Sequence, residues 1–209
     1  NGLRLGRGRR HDDARLEADF RRLCSELGLD FEPYKKTFLD RLSERRHPGK
    51  EAGLVFTTGY QVNIATISAL LANKRSVAVI DKDDHASIYD GVRLAQAAGA
   101  RMVRYRHGEP ASLDHALSSL RDAEGALVVT DGVFSAQGVI ARLPAIVEVV
   151  KKHEARIMVD DAHAYGVMGK TGRGTPSHFG DSDRVQIQIG TLSKAVGAVG
   201  GYVAGEKRL

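Results

Sequence analysis

From Gly53 onward, short apolar runs alternate with amphipathic stretches, and no other feature constrains the fold as strongly. Residues 54–57, 76–80, 101–105, 126–130, 156–159 and 185–189 read as strands, the first as a buried one and the last as an alternating apolar and polar run. Between them lie helical patterns. One opens at Thr58-Gly59-Tyr60 and carries Ile64, Ile67, Leu70 and Leu71 on one face. A second spans 86–98, and a third 112–120, with Ser112 or Asp114 near its cap. The fourth, 143–153, turns Leu143, Ile146, Val147 and Val150 toward the sheet. Strand and helix in alternation predict an α/β fold with a mostly parallel sheet and helices on both faces.

Composition narrows the class. A chain of 209 residues with 42% hydrophobic content can bury a sizeable core. The single cysteine, Cys24, excludes an internal disulfide framework and fits a reducing cytoplasm. No apolar run approaches the roughly 18 residues of a membrane-spanning helix, and no signal peptide is visible. The net charge of +5 is concentrated in residues 1–50, which hold 13 Lys/Arg against 9 Asp/Glu. Such a front end could touch nucleic acid. Its charges are mixed in sign, however, and Leu16, Phe20, Leu23 and Leu27 recur at helical spacing. An amphipathic helix behind a mobile Arg- and Gly-containing tail is the expectation, with no nucleic-acid or membrane partner. Residues 1–50 are read as a basic helical segment and 51–209 as a separate domain.

The chemistry-bearing residues cluster at strand ends. Gly190-Thr191-Leu192-Ser193-Lys194-Ala195-Val196-Gly197 follows the 185–189 strand and precedes the glycine-rich apolar stretch 198–205. A lysine among small residues there is expected in a tight, partly desolvated pocket, which favours the nucleophilic amine that a Schiff-base lysine needs. The octapeptide alone reads equally well as a surface lysine on a loop. Strand 156–159 runs into Asp160-Asp161-Ala162-His163, where open α/β sheets place ligands. Asp160 could pair with a protonated pyridine nitrogen and His163 could reach a ring hydroxyl. Asp-x-x-His could instead be two metal ligands, but no third ligand is obvious nearby, and a solvated loop is the plain alternative. Thr58-Gly59-Tyr60 suits a phosphate at a helix N-terminus, or is an ordinary strand-to-helix turn. His85, by itself, reads as a helix cap or a surface residue.

Five motifs in order, Thr58-Gly59-Tyr60-Gln61-Val62-Asn63, Asp84-His85-Ala86-Ser87, Thr130-Asp131-Gly132-Val133-Phe134-Ser135, Asp160-Asp161-Ala162-His163 and Gly190-Thr191-Leu192-Ser193-Lys194, resemble the α-oxoamine synthases. These are pyridoxal-phosphate enzymes of the fold-type I aminotransferase superfamily. The resemblance covers about three quarters of the chain, residues 52–205. Its wording is most similar to glycine C-acetyltransferase and to the bacterial enzymes making 8-amino-7-oxononanoate.

The resemblance implies the fold-type I large domain, with one antiparallel strand, and pyridoxal 5'-phosphate as cofactor. It implies Lys194 as the residue that carries the cofactor and then acts as base, with Asp160 at the ring nitrogen, His85 stacked on the ring and His163 beside it. Backbone amides of Gly59 and Tyr60, with Thr191 and Ser193, would hold the phosphate. Asn63 would face the cofactor, Ser135 would lie near the ring oxygen and Asp131 near the substrate amine. The implied reaction joins a small amino acid, glycine first, to an acyl-CoA, acetyl-CoA first. Alanine with a longer acyl-CoA is the alternative, and a non-catalytic cofactor-binding or scaffold relative is another. A cytoplasmic homodimer is the expected assembly.

The chain departs from the family in three places. The Asn-Tyr-Leu-Gly turn of the front end is absent, and His11 to Glu17 echoes its His-x-x-Leu-Glu helix only faintly. Ala136-Gln137-Gly138 stands where many relatives have Met-Asp-Gly. The chain opens on Asn1 and stops at Leu209, so it is expected to be a fragment without the C-terminal domain, which supplies the arginine for the substrate carboxylate.

Overall fold

A computed structural model describes residues 52–72, 75–120, 123 and 125–205, all within one unit spanning His47–Leu209. The expected helical segment at 1–50 lies outside the described residues. In chain order the elements are β1 (Ala52–Phe56), α1 (Gly59–Leu70), β2 (Ser76–Asp81), α2 (Ala86–Ala97), β3 (Arg101–Tyr105), α3 (Pro110–Ser118) and β4 (Gly125–Asp131). There follow β5 (Val133–Phe134), β6 (Val139–Ile140), α4 (Leu143–Lys152), β7 (Arg156–Asp160), α5 (Thr175–Phe179), β8 (Ile187–Thr191) and β9 (Gly201–Gly205).

Seven strands form one sheet in the order β1-β9-β8-β7-β4-β2-β3, and β5 pairs with β6 in a small hairpin. β8, β7, β4, β2 and β3 are parallel neighbours. β9 alone runs against the rest, antiparallel to both β8 and β1. That is the single reversed strand the resemblance implies.

Strand side chains alternate between two cores. Val77 and Val79 of β2, Val128 of β4, and Ile157 and Val159 of β7 pack on one face with α3 and α4. Ala78 and Ile80, Leu127 and Val129, and Met158 point the other way, toward α1 and α2. Each fully buried aliphatic side chain contributes about 1.5–3 kcal/mol, so the continuous apolar runs are what a sheet covered on both sides requires. α4 turns Leu143, Ile146, Val147 and Val150 inward, as its spacing predicts.

Four expectations need correction. Strand β1 is an edge strand rather than a buried one: Leu54 and Val55 are 60% and 59% exposed, because among the described residues only β9 flanks it. The 185–189 run is shifted, since β8 begins at Ile187 and includes Gly190 and Thr191, all buried. Its alternation is misleading because Gln188 is buried with its amide bonded to Asp161 and to the Arg173 carbonyl. α3 starts earlier than expected, with Pro110 in its first turn and Glu109 at the cap position. Ser112 accepts a hydrogen bond from the Arg106 N–H instead of capping the helix. Residues 169–183 carry the short helix α5, closed by left-handed Gly180. On α1, Val62, Asn63, Ile67 and Leu71 are buried, whereas Ile64 and Leu70 are only half-buried.

Candidate active site

Parallel strands β2, β4, β7 and β8 end on Asp81, Asp131, Asp160 and Thr191. Asp131 and Asp160 are register partners, so their carboxyls leave neighbouring strands at the same level. Over these ends opens a cavity of about 250 Å³. This is the crevice outside the carboxyl ends of the strands, where ligands of open α/β sheets bind.

One end of the cavity is rich in hydrogen-bond donors. Thr58 caps α1 by accepting the Gln61 N–H at its hydroxyl (3.1 Å) and the Val62 N–H at its carbonyl (3.2 Å). The Gly59 and Tyr60 N–H groups remain as the open donors of the first turn, at the positive end of the helix dipole. This turn lies hard against the end of β8. A Cβ on Gly59 would sit 2.9 Å from Thr191 Oγ1, so a glycine is needed there. Thr191 Oγ1 donates to the Gly200 carbonyl (3.2 Å) and accepts from Ser193 Oγ (3.0 Å). The helix-end amides and these hydroxyls offer donors to an anion, and Lys194 lines the same cavity.

Two buried carboxylates, Asp131 and Asp160, line the same cavity. Asp160 is 4% exposed. Its Oδ1 accepts the Ala162 N–H (2.9 Å) and its Oδ2 accepts Asn63 Nδ2 (2.5 Å). Asp131 accepts the His85 N–H (2.9 Å), and Asp84 accepts the N–H groups of Asp131 and Asp81. Burial, then the charge of Asp160, pushes the Asp131 carboxyl up, and burial, then the charge of Asp131, pushes Asp84 well up. Half-buried His163 is held below the usual imidazole range by burial and then by the Lys194 ammonium. His85 caps α2, its Nδ1 accepting the Ser87 N–H (3.2 Å). It is therefore both a helix cap and a cavity residue.

Lys194, His85, Asp160, His163, Gly59, Tyr60, Asn63, Asp131, Ser135, Thr191 and Ser193, scattered from 59 to 194 in sequence, all line this one cavity. Lys194 departs from expectation in its surroundings. It is exposed, in a turn closed by the Gly197 N–H to Lys194 carbonyl bond, rather than in a tight desolvated pocket. The small residues after it leave it open, and Val199 beside it is 76% exposed. The cavity also uses Thr58, Ser87, Ala162 and Ile189. Thr58 was legible as a cap before a helix, and Ser87 stands inside a quoted motif. Ala162 acts through its backbone and Ile189 through apolar contact, and neither leaves a signal in residue type.

Residues 30–209 match the family described as aminotransferase class I and II. Over 159 residues the chain is 53% identical to an 8-amino-7-oxononanoate synthase of Exiguobacterium sibiricum, covering 76% of this chain and 40% of that protein. It is 43% identical over 158 residues to a serine palmitoyltransferase of Sphingobacterium spiritivorum, covering 76% and 39%. A serine palmitoyltransferase solved with pyridoxal phosphate superposes with a TM-score of 0.70 at 42% identity, covering 75% of this chain and 38% of that one. The chain thus spans about two-fifths of the length of the relatives it matches. It belongs to the aminotransferase class I and II family, and the relatives it matches there are α-oxoamine synthases.

Proposed function

We propose that this chain is the cofactor-binding part of a pyridoxal-phosphate-dependent acyltransferase that condenses a small amino acid with an acyl-CoA. The observation that carries this reading is one cavity lined by helix-end and hydroxyl donors, by Lys194 and by the braced carboxylate of Asp160. Its chemistry fits a planar cation-bearing ring with a dianionic tail. The orphaned Oδ1 of buried Asn63 adds an unused acceptor in the same wall. Bound pyridoxal phosphate supplies an electron sink for the α-carbon of an amino acid.

The chain's own residues divide the remaining work. Gly59 and Tyr60 amides, with Thr191 and Ser193, bind the phosphate. Asp160, held by Asn63 and Ala162, keeps a proton on the ring nitrogen by charge pairing in a buried setting. His85 and His163, which line the same cavity, would hold the ring, His85 against its face and His163 near its hydroxyl. Lys194 Nζ would hold the cofactor and would serve as the base that takes the α-proton. The α-carbon then forms a bond to the acyl carbon, the thioester C–S bond breaks, and coenzyme A leaves as the thiol with a proton.

Substrate choice favours the alternative over glycine with acetyl-CoA. An 8-amino-7-oxononanoate has its amine beside a ketone on a long chain, the product of alanine, a longer acyl group and loss of carbon dioxide. The other relative is named for palmitoyl transfer to serine. We therefore infer alanine or serine with a longer acyl-CoA, in an assembly of two copies. The test is thiol release by the cofactor-loaded protein from acyl-CoAs of graded length with glycine, alanine or serine. Amino-acid-dependent release, greater with longer acyl chains than with acetyl-CoA and lost in Lys194→Ala, is expected. Cofactor-loaded protein that releases no thiol from any pair would overturn the acyltransferase reading for this chain by itself. Sedimentation separates one copy from two.

A further inference from the structure

We propose that Ser87 is a positioning residue that sets the orientation and tautomer of His85 and ties it to Asp160. This rests on the cofactor reading above, and it concerns a residue to which neither the motifs nor the relatives assign a role. Ser87 is 1% exposed, in the first turn of α2. Its Oγ lies 2.9 Å from Asn63 Nδ2 and 2.7 Å from His85 Nδ1.

Donor and acceptor arithmetic leaves one arrangement. Asn63 turns Nδ2 toward the Asp160 carboxylate, because its carbonyl oxygen there would face another acceptor. Both Nδ2 hydrogens are then used, one on Asp160 Oδ2 and one on Ser87 Oγ. The Ser87 hydroxyl, accepting from Asn63, has its single proton left for His85 Nδ1. The Ser87 N–H also points at Nδ1. Two donors converge on that nitrogen, so the proton of a neutral imidazole sits on Nε2, the nitrogen that Ser87 does not hold. Asp160, Asn63, Ser87 and His85 form one chain across three elements.

Backbone packing makes the chain of bonds possible. α1 and α2 cross so closely that a Cβ on Gly91 would lie 3.0 Å from the Asn63 carbonyl and 3.1 Å from Ile67 Cβ. The close crossing brings Asn63 within reach of Ser87. Asp160, Asn63 and Ser87 are buried and His85 is exposed, so the bonds among the three buried groups are stronger than in water and a lost one leaves a desolvated partner.

The experiment uses the 209-residue chain labelled with ¹⁵N and compares it with Ser87→Ala and with the near-isosteric Ser87→Cys. Long-range ¹H–¹⁵N correlations report the His85 tautomer without cofactor, and titration with pyridoxal phosphate gives Kd. The Nε2–H tautomer is expected in the wild type. In Ser87→Ala the residue-87 N–H stays on Nδ1 while the hydroxyl donor is lost. The Nδ1–H tautomer should therefore gain a measurable share without becoming the sole form, with less of it in Ser87→Cys, and Kd should rise about three- to tenfold in Ser87→Ala. Should Ser87→Ala not fold, the cysteine variant decides in the same way. An unchanged tautomer in a folded variant would overturn the proposal, as would a changed tautomer with an unchanged Kd. Failure of the wild type to take up the cofactor, with the tautomer shift intact, would instead sink the cofactor reading and leave the Ser87–His85 link standing.

Discussion

Asp160 and Asp161 are identical in type and adjacent in sequence, yet the fold sends them to opposite sides of the sheet, as the period-two geometry of a strand end dictates. Asp160 lines the cavity. Asp161 is fully buried and accepts hydrogen bonds from Thr175 N (3.0 Å), Thr175 Oγ1 (2.6 Å) and Gln188 Nε2 (2.6 Å). It clamps the start of α5 to β8 and so closes the loop that carries His163. Residue type could not separate the two carboxyls, because only the partners Thr175 and Gln188, distant in sequence, distinguish them. Burial outweighs the three donors and lifts the Asp161 carboxyl to about 7. A carboxyl raised on folding stabilises the native state below its unfolded value, near 4, and loses that contribution as pH rises through about 7. Asp161→Asn removes the titration. Urea unfolding at pH 5 and pH 8 should show the wild type losing a few kcal/mol across that window relative to the variant. An equal difference at both pH values would contradict this account.

At the scale of elements, apolar spacing made most of the sheet and helices legible, because both faces of the sheet are buried and continuous apolar strands need helices on each side. The errors fall where tertiary context overrides spacing. β1 looks buried by composition but lies at an edge, and Gln188 looks solvent-facing but satisfies Asp161. The crossing of α1 over α2 left no periodic signal at all. It depends on Gly91, whose missing Cβ admits the Asn63 carbonyl. Gly91→Ala would push backbone against backbone, and overpacking of this kind costs about 1–3 kcal/mol. A thermal midpoint several degrees lower is expected, together with weakened cofactor binding through the Asn63–Ser87 link. Retained stability would mean the helices separate freely. In contrast, Ile146→Ala on α4 should cost about 2–5 kcal/mol by leaving a cavity in the other core, with cofactor affinity unchanged in the protein that remains folded. Comparing the two by calorimetry and cofactor titration separates the core that holds the site from the core that only supports it.

For the whole molecule, the fold gathers residues from five segments onto the carboxyl ends of four parallel strands, and the ordered motifs foretold that gathering. The setting of Lys194 was not legible in the same way. The motif around it has the expected residues, while its desolvation depends on what covers the turn, which no local pattern encodes. Lys194 is exposed and the chain spans about two-fifths of its relatives, so the central claim to test is that this chain by itself places a lysine and a braced carboxylate around pyridoxal phosphate. The most direct measurement is the visible absorbance spectrum of the purified chain with pyridoxal phosphate, beside Lys194→Ala. A band that appears with the wild type, moves on adding an amino acid and is absent from the variant is the predicted result. Folded wild-type protein whose spectrum matches free pyridoxal phosphate would contradict the claim.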